Sequence, residues 1–278
     1  MTGDGFPIRF LYGTAPGRIL LKLVRKTRAD RLIVRFLRSR LSRPFALWYA
    51  RKNCPSMSRE ERRSYRSFRD FFARSKAWPG TDITPGHLIS PCDGWMSAYP
   101  VNEGGSFAIK GSRYRVGDLL EDTQLAKKYI GGLCLVFRLT AADCHHYCYI
   151  DDGYQGSNHF ISGQLHSVQP IACEAYPVYT LNRRSWCLMA TERFGPVVQT
   201  EIGALIVGGI VNHRENTRII CGSEKGHFEL AGSSIVLLFE QGRVRLRQAL
   251  ADQIRDGREV RVERGMWIAD RCGEAGAG

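Results

Sequence analysis

The chain has no run of about 18 apolar residues, the length a spanning helix needs, and its nine cysteines form no Cys-x-x-Cys pair. An odd count at irregular spacing argues against a secreted disulfide framework. Eleven prolines and 29 glycines in 278 residues follow no Gly-X-Y period, and nothing repeats at solenoid spacing. Collagen-like, low-complexity and repeat architectures are therefore excluded. The start lacks a basic segment followed by an apolar one, Thr2 stands where myristoylation needs glycine, and no prenylation box closes the chain. No signal peptide is expected, the expected compartment is reducing, and any membrane contact should be peripheral. Acids are scarce, 27 against 40 lysines and arginines.

What is present is a globular composition, 44% hydrophobic and 24% charged, carrying a net charge of +13. A chain this long can bury a sizeable core without staples. The charge is unevenly spread: residues 18–51 hold eleven basic side chains and one acid, Asp30, so +10 of the +13 lies there. Thr14 with Pro16 reads as a helix start, Asp30 as a second N-cap and Pro44 as a stop. In the second helix Arg31, Arg35 and Arg38 share a stripe, with Leu32, Ile33, Phe36, Leu37 and Leu41 opposite, interrupted by Arg40. Such a basic amphipathic helix fits an anchor on anionic lipid, a helix docked on its own domain, or a phosphate-backbone binder.

Residues 58–76 read as one further helix, with Ser58 and Glu61 at capping-box spacing and Phe68, Phe71 and Phe72 on its apolar face. Beyond residue 80 the pattern changes to short apolar runs separated by turn residues, at 107–110, 133–139, 160–168, 186–191, 201–211, 218–221, 234–239 and 244–246. Gly203, Gly208 and Gly209 inside one run suggest bulges. A helical front before a β-rich body predicts an α+β fold with antiparallel sheets. The expected division is a basic helical membrane-associating region over residues 1–80 and a β-rich core over 81–278.

Four fragments could carry chemistry. Ser90-Pro91-Cys92-Asp93-Gly94 is foremost a turn. Arg138-Leu139 leads to Asp143-Cys144-His145-His146-Tyr147-Cys148, where zinc is disfavoured because no second ligand pair sits at the usual spacing. A histidine there serves better as an acid-base group. His166, within 163–168, could equally be packed. Gly232-Ser233-Ser234 precedes the apolar run 235–239 and alone reads as a loop.

Taken together and in order, these fragments resemble the phosphatidylserine decarboxylase family of pyruvoyl enzymes. The resemblance also rests on Phe68-x-x-Phe71-Phe72-x-Arg74, Ile109-Lys110-Gly111 with Tyr114, Asn182-x-Arg184, Phe194-Gly195, Gly203-Ala204, Val207-Gly208 and Glu224-x-Gly226-x-Phe228. It implies a proenzyme that cuts itself between Gly232 and Ser233. The Ser233 hydroxyl would attack the Gly232 carbonyl, the resulting ester would break by β-elimination, and residue 233 would become a covalent pyruvoyl group. The products would be a β chain of residues 1–232 and an α chain of 233–278. Glycine suits the attacked position because it lacks a Cβ.

A serine hydroxyl needs a base oriented by a carboxylate. The resemblance gives Asp93 as that carboxylate, but the family pattern Asp-Tyr-His-x-x-His is broken here, with Cys148 at the second histidine position. A thiol of ordinary pKa about 8.5 cannot simply replace imidazole. His145, and less readily His166, is therefore expected to orient on Asp93 and serve Ser233.

The family's reaction implies a Schiff base between the pyruvoyl carbonyl and the amine of phosphatidylserine, loss of CO2, and release of phosphatidylethanolamine. Expected partners are phosphatidylserine, an anionic membrane surface on the cytoplasmic side, and the two chains of the precursor, with a homodimer left open and no nucleic acid. Other readings are a pyruvoyl decarboxylase of a soluble amino acid and a non-catalytic membrane-binding relative. Lys110 and Arg184 could hold a phosphate or make structural salt bridges.

Overall fold

A computed structural model describes residues 6–17, 29–75, 80–109, 112–164, 166–168, 170–204, 209–230, 233–255 and 258–273. The architecture is mixed helix and antiparallel sheet, and among the described residues no strand precedes residue 87, so the described part of the first 72 residues is helical. The helices there are α1 (Phe6–Gly13), α2 (Ala29–Arg38), α3 (Arg43–Asn53), α4 (Arg59–Ser64) and α5 (Phe68–Phe72). Thr14 caps the residues that follow it, accepting from Gly17 N at 3.1 Å. Two boundaries differ from the sequence reading. Pro44 lies in the first turn of α3 rather than ending a helix, because proline has no N–H to lose at that position. Residues 58–76 make two helices, not one. Tyr65 turns to extended backbone after α4, and Ser67 starts α5 by accepting from Asp70 N.

The β-rich body is built on a nine-stranded sheet. The strands that matter for the site are β1 (Gly94–Pro100), β2 (Leu133–Leu139), β3 (His146–Cys148), β4 (Arg184–Thr191), β5 (Gly195–Ile202), β6 (Gly209–Asn212), β7 (Glu224–Glu229) and β8 (Ser233–Phe239). In the large sheet β4, β5, β8, β2 and β1 lie side by side, all antiparallel. The smaller strands 217–219, 153–155, 159–161 and 260–262 extend it. A second sheet has the order β6-β7-β3. The apolar run 201–211 is thus not one strand: β5 ends at Ile202 and β6 begins at Gly209 in the other sheet.

β8 is buried along its whole length, which is why it reads as a continuous apolar run rather than an alternating one. Its side chains alternate between two cores. Ile235, Leu237 and Phe239 join Phe137, Tyr147, Cys148 and Phe228 on one face. Val236 and Leu238 face Tyr12, Ala172, Tyr179 and Trp186 on the other. A third cluster gathers Leu37, Ala46, Ala50, Phe68, Phe71 and Phe72 around Leu230, just after β7. Full burial of Phe71 and Phe72 is worth roughly 2–3 kcal/mol each. That cluster fastens the helical front to the segment that leads into β8.

Candidate active site

The period-2 alternation that places Ile235 and Leu237 also places Ser233, the first residue of β8, on the same face. Ser233 pairs with Leu139 at the end of β2, and β2 in turn pairs with β1. The starts of β8 and β1 therefore flank one strand end. Gly94 makes this possible: its φ is +152°, and a Cβ there would lie 2.7 Å from the Arg138 carbonyl oxygen. Ser233 is fully buried, and among the described residues its Oγ has no hydrogen-bond partner. Gly232 lies outside the described residues.

Asp93 immediately precedes β1 and is buried, with Oδ1 accepting from Arg264 N at 2.9 Å. The Ser90–Asp93 segment is tied to β3, since Cys148 N donates to the Pro91 carbonyl at 2.8 Å. The Cys148 thiol lies 3.8 Å from the Ser90 carbonyl, and burial pushes its pKa far up. It stays a neutral thiol and accepts no proton.

His145 precedes β3. Its ring packs against that of Phe72 at a 33° tilt, 3.7 Å between centroids, and it has no exposed surface. Nδ1 lies 3.0 Å from the Asp143 carbonyl, which can only accept. Nδ1 therefore carries the proton, and Nε2 presents a lone pair. That Nε2 is buried and, among the described residues, without a partner. Burial first, then the positive charge of Arg74, holds the imidazole well below its ordinary pKa, so the ring is neutral.

Ser233 and His145 are linked through the chain on both sides. Ser233 pairs with Leu139, six residues before His145. Phe228, five residues before Ser233, donates its N–H to the His145 carbonyl at 3.0 Å. What orients His145 in the uncut chain is the Asp143 carbonyl, while the Asp93 carboxylate is engaged by the backbone of Arg264.

His166 lies elsewhere. It is buried with Nε2 2.8 Å from Gln164 Oε1 and Nδ1 3.5 Å from Tyr12 Oη, and it stacks on Tyr176 at 4.6 Å. Tyr12 belongs to the core on the opposite face of β8 from Ser233.

Sequence reasoning gave two further groups no role. Arg74, a motif residue, donates to the carbonyls of Phe71, Ala142 and Asp143. It pins the loop that holds His145, and its signal was the Phe-x-x-Phe-Phe-x-Arg spacing. Arg264 is buried beside Asp93 with no motif to announce it. Arg184, considered for phosphate, instead donates to the carbonyls of Leu119, Thr180, Asn182 and Asp118, and it pairs with Glu121. It is a structural clamp. Lys110 falls outside the described residues.

A buried hydroxyl and a buried neutral imidazole, each with an unfilled hydrogen-bonding site, suit nucleophilic chemistry inside the protein. Residues 68–266, a span holding Asp93, His145 and Ser233, match the family described as phosphatidylserine decarboxylase. The phosphatidylserine decarboxylase proenzyme 2 of Clostridium acetobutylicum is 38% identical over 270 residues, covering 95% of this chain and 91% of the relative. The proenzyme of Ruminiclostridium cellulolyticum is 34% identical over 273 residues, covering 94% and 89%. That of Clostridium beijerinckii is 35% identical over 212 residues, covering 74% and 72%.

Proposed function

The chain belongs to the phosphatidylserine decarboxylase family, and from that premise we propose that it makes its own pyruvoyl group by cutting itself between Gly232 and Ser233. It is a phosphatidylserine decarboxylase, a carboxy-lyase whose products are phosphatidylethanolamine and CO2. The observation that carries the self-cutting is the buried, unpartnered Ser233 hydroxyl at the head of β8. A buried serine hydroxyl ordinarily finds a partner, and of the two serines at the head of β8, Ser233 is the one on the face shared with Tyr147 and Phe228.

His145 Nε2 is the base that takes the Ser233 proton, and His166, on the other side of the sheet, is not. The geometry supports this assignment: Nε2 already has its lone pair available, and the Asp143 carbonyl fixes the ring. Asp93 stabilises the imidazolium by its negative charge, supported by Arg264. The Ser233 oxygen displaces its own amide nitrogen from the Gly232 carbonyl to give an ester that still joins the two halves. Loss of the Ser233 α-proton and β-elimination then free the Gly232 carboxylate, parting the chain into residues 1–232 and 233–278. Water hydrolyses the dehydroalanine left at 233 to the pyruvoyl group with release of ammonia. The pyruvoyl group supplies a carbonyl that captures the substrate amine and an electron sink for loss of CO2. In the mature enzyme His145 Nε2 returns a proton to the product carbon, while the walls of Phe72 and Phe228 exclude water.

Residues 1–80 serve as a membrane dock on the cytoplasmic side for the core of residues 81–278. No helix among the described residues is long and apolar enough to cross a membrane. Instead α2, the 3-10 turn at Arg40–Ser42 and α3 expose Leu32, Phe36, Leu41, Phe45 and Trp48, with Leu41 79% and Leu32 71% accessible. Arg35, Arg38, Arg40 and Arg43, interspersed among these residues in the sequence, are exposed as well. Arg38 on α2 and Arg69 on α5 both pair with Glu229 at the end of β7. The lipid-facing surface is thus attached to the segment that ends at the cut.

Denaturing intact-mass measurement tests the reading. The expected result is two chains broken after Gly232, the smaller with a borohydride-reducible N-terminal carbonyl. A single 31.4 kDa species would overturn it. Flotation with anionic vesicles tests the dock: binding should weaken at high salt or without anionic lipid. Salt-independent failure to float, with cutting intact, would favour a soluble amino acid as substrate.

A further inference from the structure

On the other side of β3 from His145, three strands bring imidazoles onto one carboxylate. His146 on β3 lies directly opposite His227 on β7. Glu224 and His227, three residues apart, would face opposite ways on a regular strand. The register shifts between Glu224 and Gly226, however, so β7 carries one extra residue there. Lys225 turns inward to pair with Glu201 at 2.8 Å, both side chains fully buried, and Glu224 and His227 come to share the outer face. Gly226 permits the bulge, because a Cβ there would lie 2.1 Å from the Val211 carbonyl oxygen. His213, just beyond β6, completes the group.

The polar contacts are those of a ligand set. His146 Nδ1 lies 2.8 Å and His213 Nε2 2.9 Å from the same oxygen, Glu224 Oε1. His146 Nε2 lies 3.2 Å from the Ala73 carbonyl oxygen, an acceptor, so the neutral ring has its proton on Nε2. In the neutral ring the Nδ1 lone pair then faces a carboxylate oxygen, a contact that either a proton or a metal ion on Nδ1 would relieve. A second imidazole nitrogen bonded to a backbone carbonyl is also the usual outer support of a metal-binding histidine. His227 Nδ1 is buried and unpartnered among the described residues. The donor atoms of His146, Glu224 and His227 all lie within 4.8 Å of one another. A cation about 2.0–2.2 Å from each ligand needs separations of roughly 3.3 Å. Reaching it requires the 2.8 and 2.9 Å contacts to Glu224 to open by a few tenths of an ångström and the wider separations, His213 included, to close.

We propose that His146, His213, Glu224 and His227 bind a divalent transition cation of the zinc class. Three imidazoles and one carboxylate suit zinc or its first-row neighbours and not magnesium or calcium, which take oxygen ligands. The zinc pattern absent from Cys144 to Cys148 is supplied by residues about 70–80 positions later in the chain, which the bulge brings round. The bound ion fastens β3, which follows His145, to β7, which leads to Ser233. It therefore positions the processing site without touching it.

The test uses untagged full-length protein, stripped with a chelator and titrated with zinc sulfate, then with cobalt(II) as a spectroscopic stand-in. The expected result is one ion per chain and cobalt ligand-field bands without a thiolate charge-transfer band. His227→Ala and Glu224→Gln should each weaken zinc binding by about 100-fold or more, above the 10- to 100-fold that loss of an outer-shell partner gives. His213→Ala, the more exposed ligand, should weaken it less. Circular dichroism checks folding, and should His227→Ala fail to fold, Glu224→Gln carries the comparison. Zinc binding well below one equivalent, equal affinity in the wild type and Glu224→Gln, or a thiolate band would overturn the proposal.

Discussion

His145 and His166 are both buried in a core, His145 fully and His166 to 2% exposure, and composition gives no way to tell them apart. Their surroundings differ. His166 has side-chain oxygens at both ring nitrogens, a tyrosine ring against its face, and its backbone N–H on Asn182 Oδ1. His145 is held at one nitrogen by a carbonyl and left open at the other. A satisfied polar group stabilises the fold, whereas an open one costs about 1–3 kcal/mol and persists where chemistry requires it. The comparison is the ground for assigning the proposed base role to the incomplete histidine rather than to one that is merely buried.

The largest expected effect comes from removing the open nitrogen. His145→Ala should slow self-cutting by about 10² to 10⁴-fold, the usual worth of a positioned base, measured by the time course of uncut chain on denaturing gels. Near-normal cutting in that variant would break the comparison. Arg74→Ala comes next. The Ala142 and Asp143 carbonyls lose their shared donor, so His145 keeps its chemistry but loses its placement. A drop of about 10²-fold is expected, the cost of a misplacement near 1 Å. A lysine at 74 should recover only part of it, because the clamp spans two carbonyls at once.

Part of this was legible in the sequence and part was not. The runs 133–139 and 234–239 match β2 and β8 because strands buried on both faces appear as short continuous apolar stretches bounded by turn residues. The cap at Ser58 was likewise local, and its bond to Glu61 N is present. Asp93-Gly94 was readable as a turn, but that the turn abuts β2 depends on a pairing no local pattern encodes. The run 201–211 misled because apolar content continues while the chain changes sheets. Arg74 was visible as a motif member and silent as to role, since its partners lie about 70 residues away. The bulge at Lys225 was invisible: it is a difference in count between two strands, not a property of either.

The smallest effects belong to the satisfied histidine. His166→Ala should leave cutting within about threefold of normal while lowering stability by about 1–3 kcal/mol, the cost of unpairing buried groups and losing the Tyr176 stack. Tyr12→Phe should cost a similar amount, because Ser167 N donates to the tyrosine oxygen at 2.8 Å and would lose that acceptor. Since Tyr12 Oη also meets His166 Nδ1, the two variants should not add: a coupling of about 0.5–3 kcal/mol is expected for residues sharing one network. Urea unfolding of the two single variants and the double measures it. Full additivity would mean that α1 and the 166–168 segment are independent of each other. A parallel loss of cutting in His166→Ala would mean that the opposite face of β8 reaches Ser233 after all.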